Sequence, residues 1–225
     1  MFERFAIFYT PTGALADFGA EWLGWDSANG RAVPHPDVSG IDDVAAATAT
    51  PRKYGLHGTL KAPFRLSADS GPAKLQQAVA DFAQRHAPVD IGKLHLAHHH
   101  GFVALRPAGD PPALRDLASA IVTELDDHRA PLTEADIARR RKTPLSARQD
   151  QQMLDWGYPY IFGDFHFHLT LSGSLPEAEG AQVVTALQPM LDPIIADPWV
   201  IDRITLMGQD AAGMFHQIHR YALTG

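Results

Sequence analysis

The four-residue run His-x-Thr-Leu occurs twice in this chain, as His57-Gly58-Thr59-Leu60 and as His168-Leu169-Thr170-Leu171. A strand sends residues i and i+2 to one face. Each run therefore presents an imidazole and a hydroxyl on one side. The other side carries core-forming groups: Leu56 and Leu60 in the first run, Phe167, Leu169 and Leu171 in the second. A strand of this kind must bury its apolar face and leave its His/Thr face toward a polar space. The same alternation places Lys61 on the face of His57 and Thr59, and His166 and Ser172 on the face of His168 and Thr170.

The surroundings of the two runs match. After LHGTLKAPF (56–64), Leu75, Val79 and Phe82 predict a helix over 73–86, and IGKLHLA and GFVALRP predict a strand pair. After FHFHLTLSG (165–173), a helix opening at Pro176 leads to WVIDRITLMG and MFHQIHRYAL, a second strand pair. From His57 to Gly101 is 44 residues and from His168 to Gly213 is 45. A duplication with pseudo-twofold symmetry gives this pattern, and so do two unrelated βαββ stretches. Ahead of them, FAIFY (5–9) reads as a buried strand, 13–25 as a helix, and 26–50 as loop. Pro111-Pro112 starts another helix. In the polar stretch 129–160, Ser146 and Gln149 have capping-box spacing, Thr143-Pro144 is a competing helix start, and Gly157 with Pro159 marks a stop.

Composition narrows the chemistry. No cysteine is present, which removes disulfides, zinc-thiolate sites and a cysteine nucleophile. The formal net charge of −7 argues against a surface that wraps extended nucleic acid. The N-terminus reads as a strand rather than a leader, and no stretch approaches a membrane span, so a cytoplasmic protein is expected. With 12 histidines, any single His motif is weak evidence. Two copies in matched settings are stronger.

Two imidazoles facing each other across a cleft, flanked by two hydroxyls, suit phosphodiester cleavage without a metal or cofactor. One neutral His takes a proton and the other, protonated, gives one. The threonines hydrogen-bond phosphate oxygens, and a fixed cation such as Lys61 offsets charge.

At these residues the chain resembles the 2H phosphoesterase superfamily, and most closely a bacterial branch found with phosphonate-metabolism genes. PRKYGLHGTLKAPF (51–64) and GYPYIFGDFHFHLTLSG (157–173) carry the resemblance. It implies an α+β, bilobal fold with two antiparallel sheets lining a central cleft and helices outside. One domain spans 1–225, with lobes around 51–128 and 157–225 and a connector at 129–156. It also implies hydrolysis or transfer at a small, often cyclic, phosphodiester, with His57 and His168 catalytic and Thr59 and Thr170 on the phosphate.

Further candidates for substrate binding are Arg52, by proximity, and Tyr54, Tyr158, Tyr160 and His166. The tyrosines serve equally as packing residues. Arg139–Lys142 reads as an exposed basic run, with a phosphate clamp as the sharper alternative; Lys53 and Arg65 read as solvated. His98–His100 do not form a natural chelating set, and His216 and His219 receive no role. Alternative functions are an RNA-end enzyme for 2′,3′-cyclic phosphates or 2′-5′ linkages, a non-catalytic nucleotide-binding module, and a metal hydrolase, which lacks a recognisable ligand motif.

Overall fold

A computed structural model describes all 225 residues. The chain runs β1 (Arg4–Tyr9), α1 (Ala14–Leu23), β2 (Gly58–Phe64), α2 (Pro72–Arg85), β3 (Leu94–His99), β4 (Phe102–Pro107) and α3 (Pro112–Glu124). It continues through α4 (Glu134–Arg140), α5 (Ala147–Trp156), β5 (Leu169–Thr170), α6 (Glu177–Leu191), β6 (Arg203–Gln209) and β7 (Phe215–Ala222). No helix is long and apolar enough to cross a membrane.

Most elements lie where pattern and punctuation put them. Gly24 and Gly157 end α1 and α5 in the left-handed conformation, and the Ser146/Gln149 capping box opens α5. The stretch 26–50 is more ordered than expected, with short helices at Val44–Ala47 and Ala49–Arg52. Helix α4 has no counterpart in the sequence pattern. Its capping box joins Thr133 to Asp136, where the usual template asks for Glu or Gln.

The seven strands form one antiparallel sheet in the order β7-β6-β1-β2-β5-β4-β3. The α+β class and the antiparallel pairing hold. The two expected sheets, however, are fused into one by the pairing of Gly58 with Leu169 between β2 and β5. Each half of the chain also contributes to both sides of that seam. The β3/β4 hairpin adjoins β5, the second motif strand, whereas β6/β7 reaches β2, the first, through β1. The helices follow suit: α2 packs on β6 and β7, and α6 on β3 and β4. Helices α1, α2, α3 and α6 cover one face, where 35 buried residues form a continuous core. Along β1, Phe5, Ile7 and Tyr9 enter that core, while Ala6 and Phe8 join Met207 and Phe215 on the opposite face. That opposite face carries the motifs.

The structure corrects the expected role of Lys61. Phe8 pairs with Thr59 but Ile7 pairs with Lys61, so Leu60 is an extra residue in β2 and forms a bulge. A bulge shifts the alternation by one. Lys61 therefore follows Ile7 to the core side, where its Nζ donates to the Val122 carbonyl at 2.8 Å and to Asp126 at 2.9 Å. Arg129 grips the same carboxylate in bidentate fashion, both contacts at 2.8 Å. Burial pushes the Lys61 ammonium below its ordinary value, and Asp126 partly offsets this. Burial acts to raise the Asp126 carboxyl, but hydrogen bonds and charge from Arg129 and Lys61 outweigh it and hold it low.

Asp126→Ala leaves two cations without a counter-charge and is expected to cost about 3–5 kcal/mol in denaturant unfolding. Lys61→Met leaves Asp126 its Arg129 partner and should cost much less, with turnover retained. Loss of turnover in a folded Lys61→Met protein would return Lys61 to the reaction.

Candidate active site

The register between β2 and β5 builds the site. With Gly58 opposite Leu169 in an antiparallel pair, His57 lies opposite Thr170 and Thr59 opposite His168. Directly opposed residues share a face. Four side chains from two distant stretches of the chain thus meet on one patch of sheet.

The strands come this close because residue 58 has no side chain. A Cβ on Gly58 would stand 2.3 Å from the Phe167 ring, which lies in the core beneath the seam.

The two imidazoles are held alike. His57 Nδ1 lies 2.8 Å from the Gly55 carbonyl oxygen, and His168 Nδ1 lies 2.9 Å from that of His166. A carbonyl only accepts, so each Nδ1 carries hydrogen and each neutral ring keeps its lone pair on Nε2. The His57 ring lies 4.0 Å from Phe8, centroid to centroid, and 5.3 Å from Tyr54. Burial drives its pKa down to about 4 against the upward pull of the Gly55 hydrogen bond, and the charge of His168 lowers it further. His168 lies 5.4 Å from Phe102 and is also depressed, first by burial.

A cavity of about 750 Å³ opens on this face. His57, Thr59, Thr170, Tyr54 and Tyr158 line it. His168 stands beside it, across the seam from Thr59. Tyr54 stacks on Phe215 at 4.9 Å, so packing and exposure to the cavity coexist in that ring. Tyr158 lies under the Arg140 guanidinium at 5.0 Å, and burial pushes its hydroxyl up to about 12.

Other candidates lie elsewhere. Arg52 clips short helices to α1, donating to the carbonyls of Leu23 and Ala45 and to Thr48 Oγ1. Tyr160 is exposed, 5.6 Å from Tyr158. The His166 ring points to Asp110 at 3.1 Å, and only its carbonyl serves the site, by orienting His168.

Alternation around the two motifs does not reveal the cations. Arg4, Lys53, Arg65, Arg139 and Arg140 all line the cavity, with Glu3 and Asp136 as its carboxylates. Arg4 is legible after the fact: it shares the face of Ala6 and Phe8 by simple alternation. Arg139 and Arg140 stand out as a basic run, but their orientation depends on α4.

With this geometry in hand, the relatives are informative. The family described as protein of unknown function (DUF1045) matches residues 59–216. The chain belongs to that family. A curated relative of this DUF1045 chain is "Ribose 1,5-bisphosphate phosphokinase PhnN" of Janthinobacterium sp. (strain Marseille), 33% identical over 218 residues. The match covers 93% of this chain and 48% of that protein. The chain spans about half the length of the curated relatives it matches. Among solved structures, TT0787 of Thermus thermophilus shares the fold at a TM-score of 0.50 and 11% identity, covering 99% of this chain and 98% of that one. E. coli LigT complexed with NADP+ is similar at a TM-score of 0.47 and 15% identity, covering 100% of this chain and 99% of that one. The DUF1045 chain thus shares its fold with TT0787 over nearly its whole length.

Gly58→Ala tests the seam. The added methyl forces Phe167 and β5 away from β2, which separates the two imidazoles. A displacement near 1 Å costs about 10²-fold in rate. The expected variant is folded but much slower; an unaltered rate would show that the seam does not set the site.

Proposed function

We propose that this protein is a two-histidine phosphodiesterase for a compact phosphodiester, a sugar or nucleotide cyclic phosphate in particular. The observation that supports this most directly is the paired placement of His57/Thr170 and Thr59/His168, with both Nδ1 atoms tied to carbonyls and both Nε2 atoms left for proton transfer.

The two rings are unequal. His57 rests on Phe8 and is the more strongly depressed, so the singly protonated pair carries its proton on His168. His57 then takes a proton from the attacking water. Oxygen adds to phosphorus, the P–O bond to the leaving alcohol breaks, and His168 protonates that alkoxide. The products are a phosphomonoester and a free hydroxyl. Thr59 and Thr170 donate to non-bridging oxygens, whose charge the cavity's guanidinium groups offset.

The kinase activity in the relative's name belongs to that protein. This chain contains no G-x-x-x-x-G-K-[ST] loop of the kind that cradles a nucleotide phosphate. The ribose bisphosphate in that name nonetheless supports a phosphorylated sugar as the scale of substrate. The RNA-end reading remains the second choice. The cations gather inside one cavity rather than along a track for a strand.

His57→Ala and His168→Ala should each lower turnover of a cyclic phosphodiester by roughly 10²–10⁴-fold. The double variant should lose less than the product of the two, because the pair acts as one unit. EDTA should leave the rate intact; loss restored by Mn²⁺ or Zn²⁺ would move the case to a metal hydrolase.

The pH profile carries its own sign. Catalysis requires neutral His57 and protonated His168. The kcat/KM profile should rise through about pH 4, where His57 loses its proton, and fall again below 6.5, where the depressed His168 does. An alkaline limb well above 6.5 in kcat/KM would contradict this assignment.

Substrate scale is tested by comparing a mononucleoside cyclic phosphate with an oligoribonucleotide of the same end over a salt series. The mononucleoside should be turned over at least as efficiently. A large oligonucleotide preference that collapses with salt would favour the RNA-end enzyme.

A further inference from the structure

The far end of the cavity has charge that the reaction at His57 does not use. Arg4 lies at the start of β1, four residues from Phe8, the ring against His57. That is about 13 Å of strand, which a long arginine side chain shortens. Beside it α4 brings in Arg139 and Arg140, and the end of β2 brings in Arg65.

These groups are positioned but not neutralised. Asp136 holds two of them, Arg65 at 2.6 Å and Arg139 at 2.8 Å. A single carboxylate thus orients two guanidinium groups and cancels one charge. Arg4 bonds to Gln209, a neutral partner. Arg140 is half-buried over the Tyr158 ring, and its buried Nε has no partner. An unpaired, partly desolvated guanidinium is costly to hold. This one is held in a crowd of like charge, in a chain whose formal net charge is −7. A bound anion relieves that cost, and guanidinium groups match a phosphate through paired N–H donors.

We infer that Arg4, Arg65, Arg139 and Arg140 form a second anion subsite, which takes a terminal phosphomonoester on the same substrate whose diester lies at His57 and His168. The inference rests on the phosphodiesterase reading for its catalytic consequence but not for binding. The substrate class becomes a phosphodiester bearing a further phosphate one sugar or nucleoside away. A volume of about 750 Å³ accommodates a whole ligand of that kind.

Adenosine 2′,3′-cyclic phosphate and its 5′-phosphorylated counterpart differ only in the second phosphate. The wild-type protein should show at least tenfold higher kcat/KM on the phosphorylated compound, through KM. Arg140→Gln should reduce that ratio at least fivefold, and Arg4→Gln, on a different element, should do the same. Circular dichroism and thermal unfolding establish that each variant folds. Binding is measured separately by calorimetry in the His57→Ala protein, with and without Arg140→Gln. Tighter binding of the phosphorylated compound, lost with Arg140→Gln, supports the subsite. Equal binding of the two compounds overturns it, whatever the turnover. A wild-type protein that cleaves neither compound yet binds the phosphorylated one more tightly overturns the hydrolase reading and leaves the subsite standing.

Discussion

The site depends on one backbone pairing. Gly58 and Leu169 form the one ladder pair between β2 and β5, and they join the two halves of the sheet. The placement of the four side chains in the proposed reaction is set by that seam, because opposed positions on an antiparallel pair share a face. A glycine at the seam is required by the core, not by the cavity: the Phe167 ring fills the space where a Cβ would be. The same contact that closes the core beneath the sheet therefore fixes the spacing of the imidazoles above it. Stability and reactivity are tied to one distance here, and neither face can be repacked without moving the other.

The sequence made the seam's ingredients legible but not its topology. Period-2 alternation across His57–Thr59 and His168–Thr170 and helix punctuation at Pro112, Ser146 and Gly157 describe local events, and these hold, although the strand expected over 165–173 is regular only at Leu169–Thr170. Which hairpin adjoins which motif strand is a long-range choice. It is decided by where α2 and α6 can cover apolar surface, and no local pattern encodes it. Lys61 shows a second limit. Its face follows from strict alternation, yet one extra residue at Leu60 turns it into the core. The apolar face gives no warning, because Leu60 is buried in the core as alternation requires and the bulge shows only in the register with β1. His166 fails for another reason: its carbonyl, not its ring, is the group the site uses, and carbonyl orientation has no side-chain signature.

The connector carries information that alternation misses. Asp136 is a capping residue for α4 and at the same time the anchor of Arg65 and Arg139. Burial acts to raise its carboxyl, but hydrogen bonds from Thr133 and Arg139, with the charge of Arg65, hold it below the ordinary range. A helix start and a cationic wall are thus one structure. That economy explains why α4, whose only buried residue is Asp136, folds against the cavity at all: its order comes from caps and ion pairs around Asp136, and from Arg140 on Tyr158, rather than from burial of large side chains of its own.

In the proposed reaction, burial and neighbouring positive charge both work against the proton that His168 must carry. Burial disfavours a charged imidazole at both positions; the charge of His168 adds to this at His57, and the charges of Arg106 and His166 add to it at His168. In the empty cleft near neutral pH both rings are therefore mostly uncharged, and the pair lacks the acid it needs. A phosphodiester anion entering between them reverses the balance. Placed between the two Nε2 atoms as proposed, its charge offsets that of Arg106 beside His168 and favours protonation of one ring, the less depressed His168. Binding and proton uptake are then linked: a ligand that favours the protonated pair must bind more tightly to it. On this account a neutral ester of the same shape is a poor substrate for an electrostatic reason, not a steric one. It fills the cavity without charging His168, and the leaving alkoxide finds no proton.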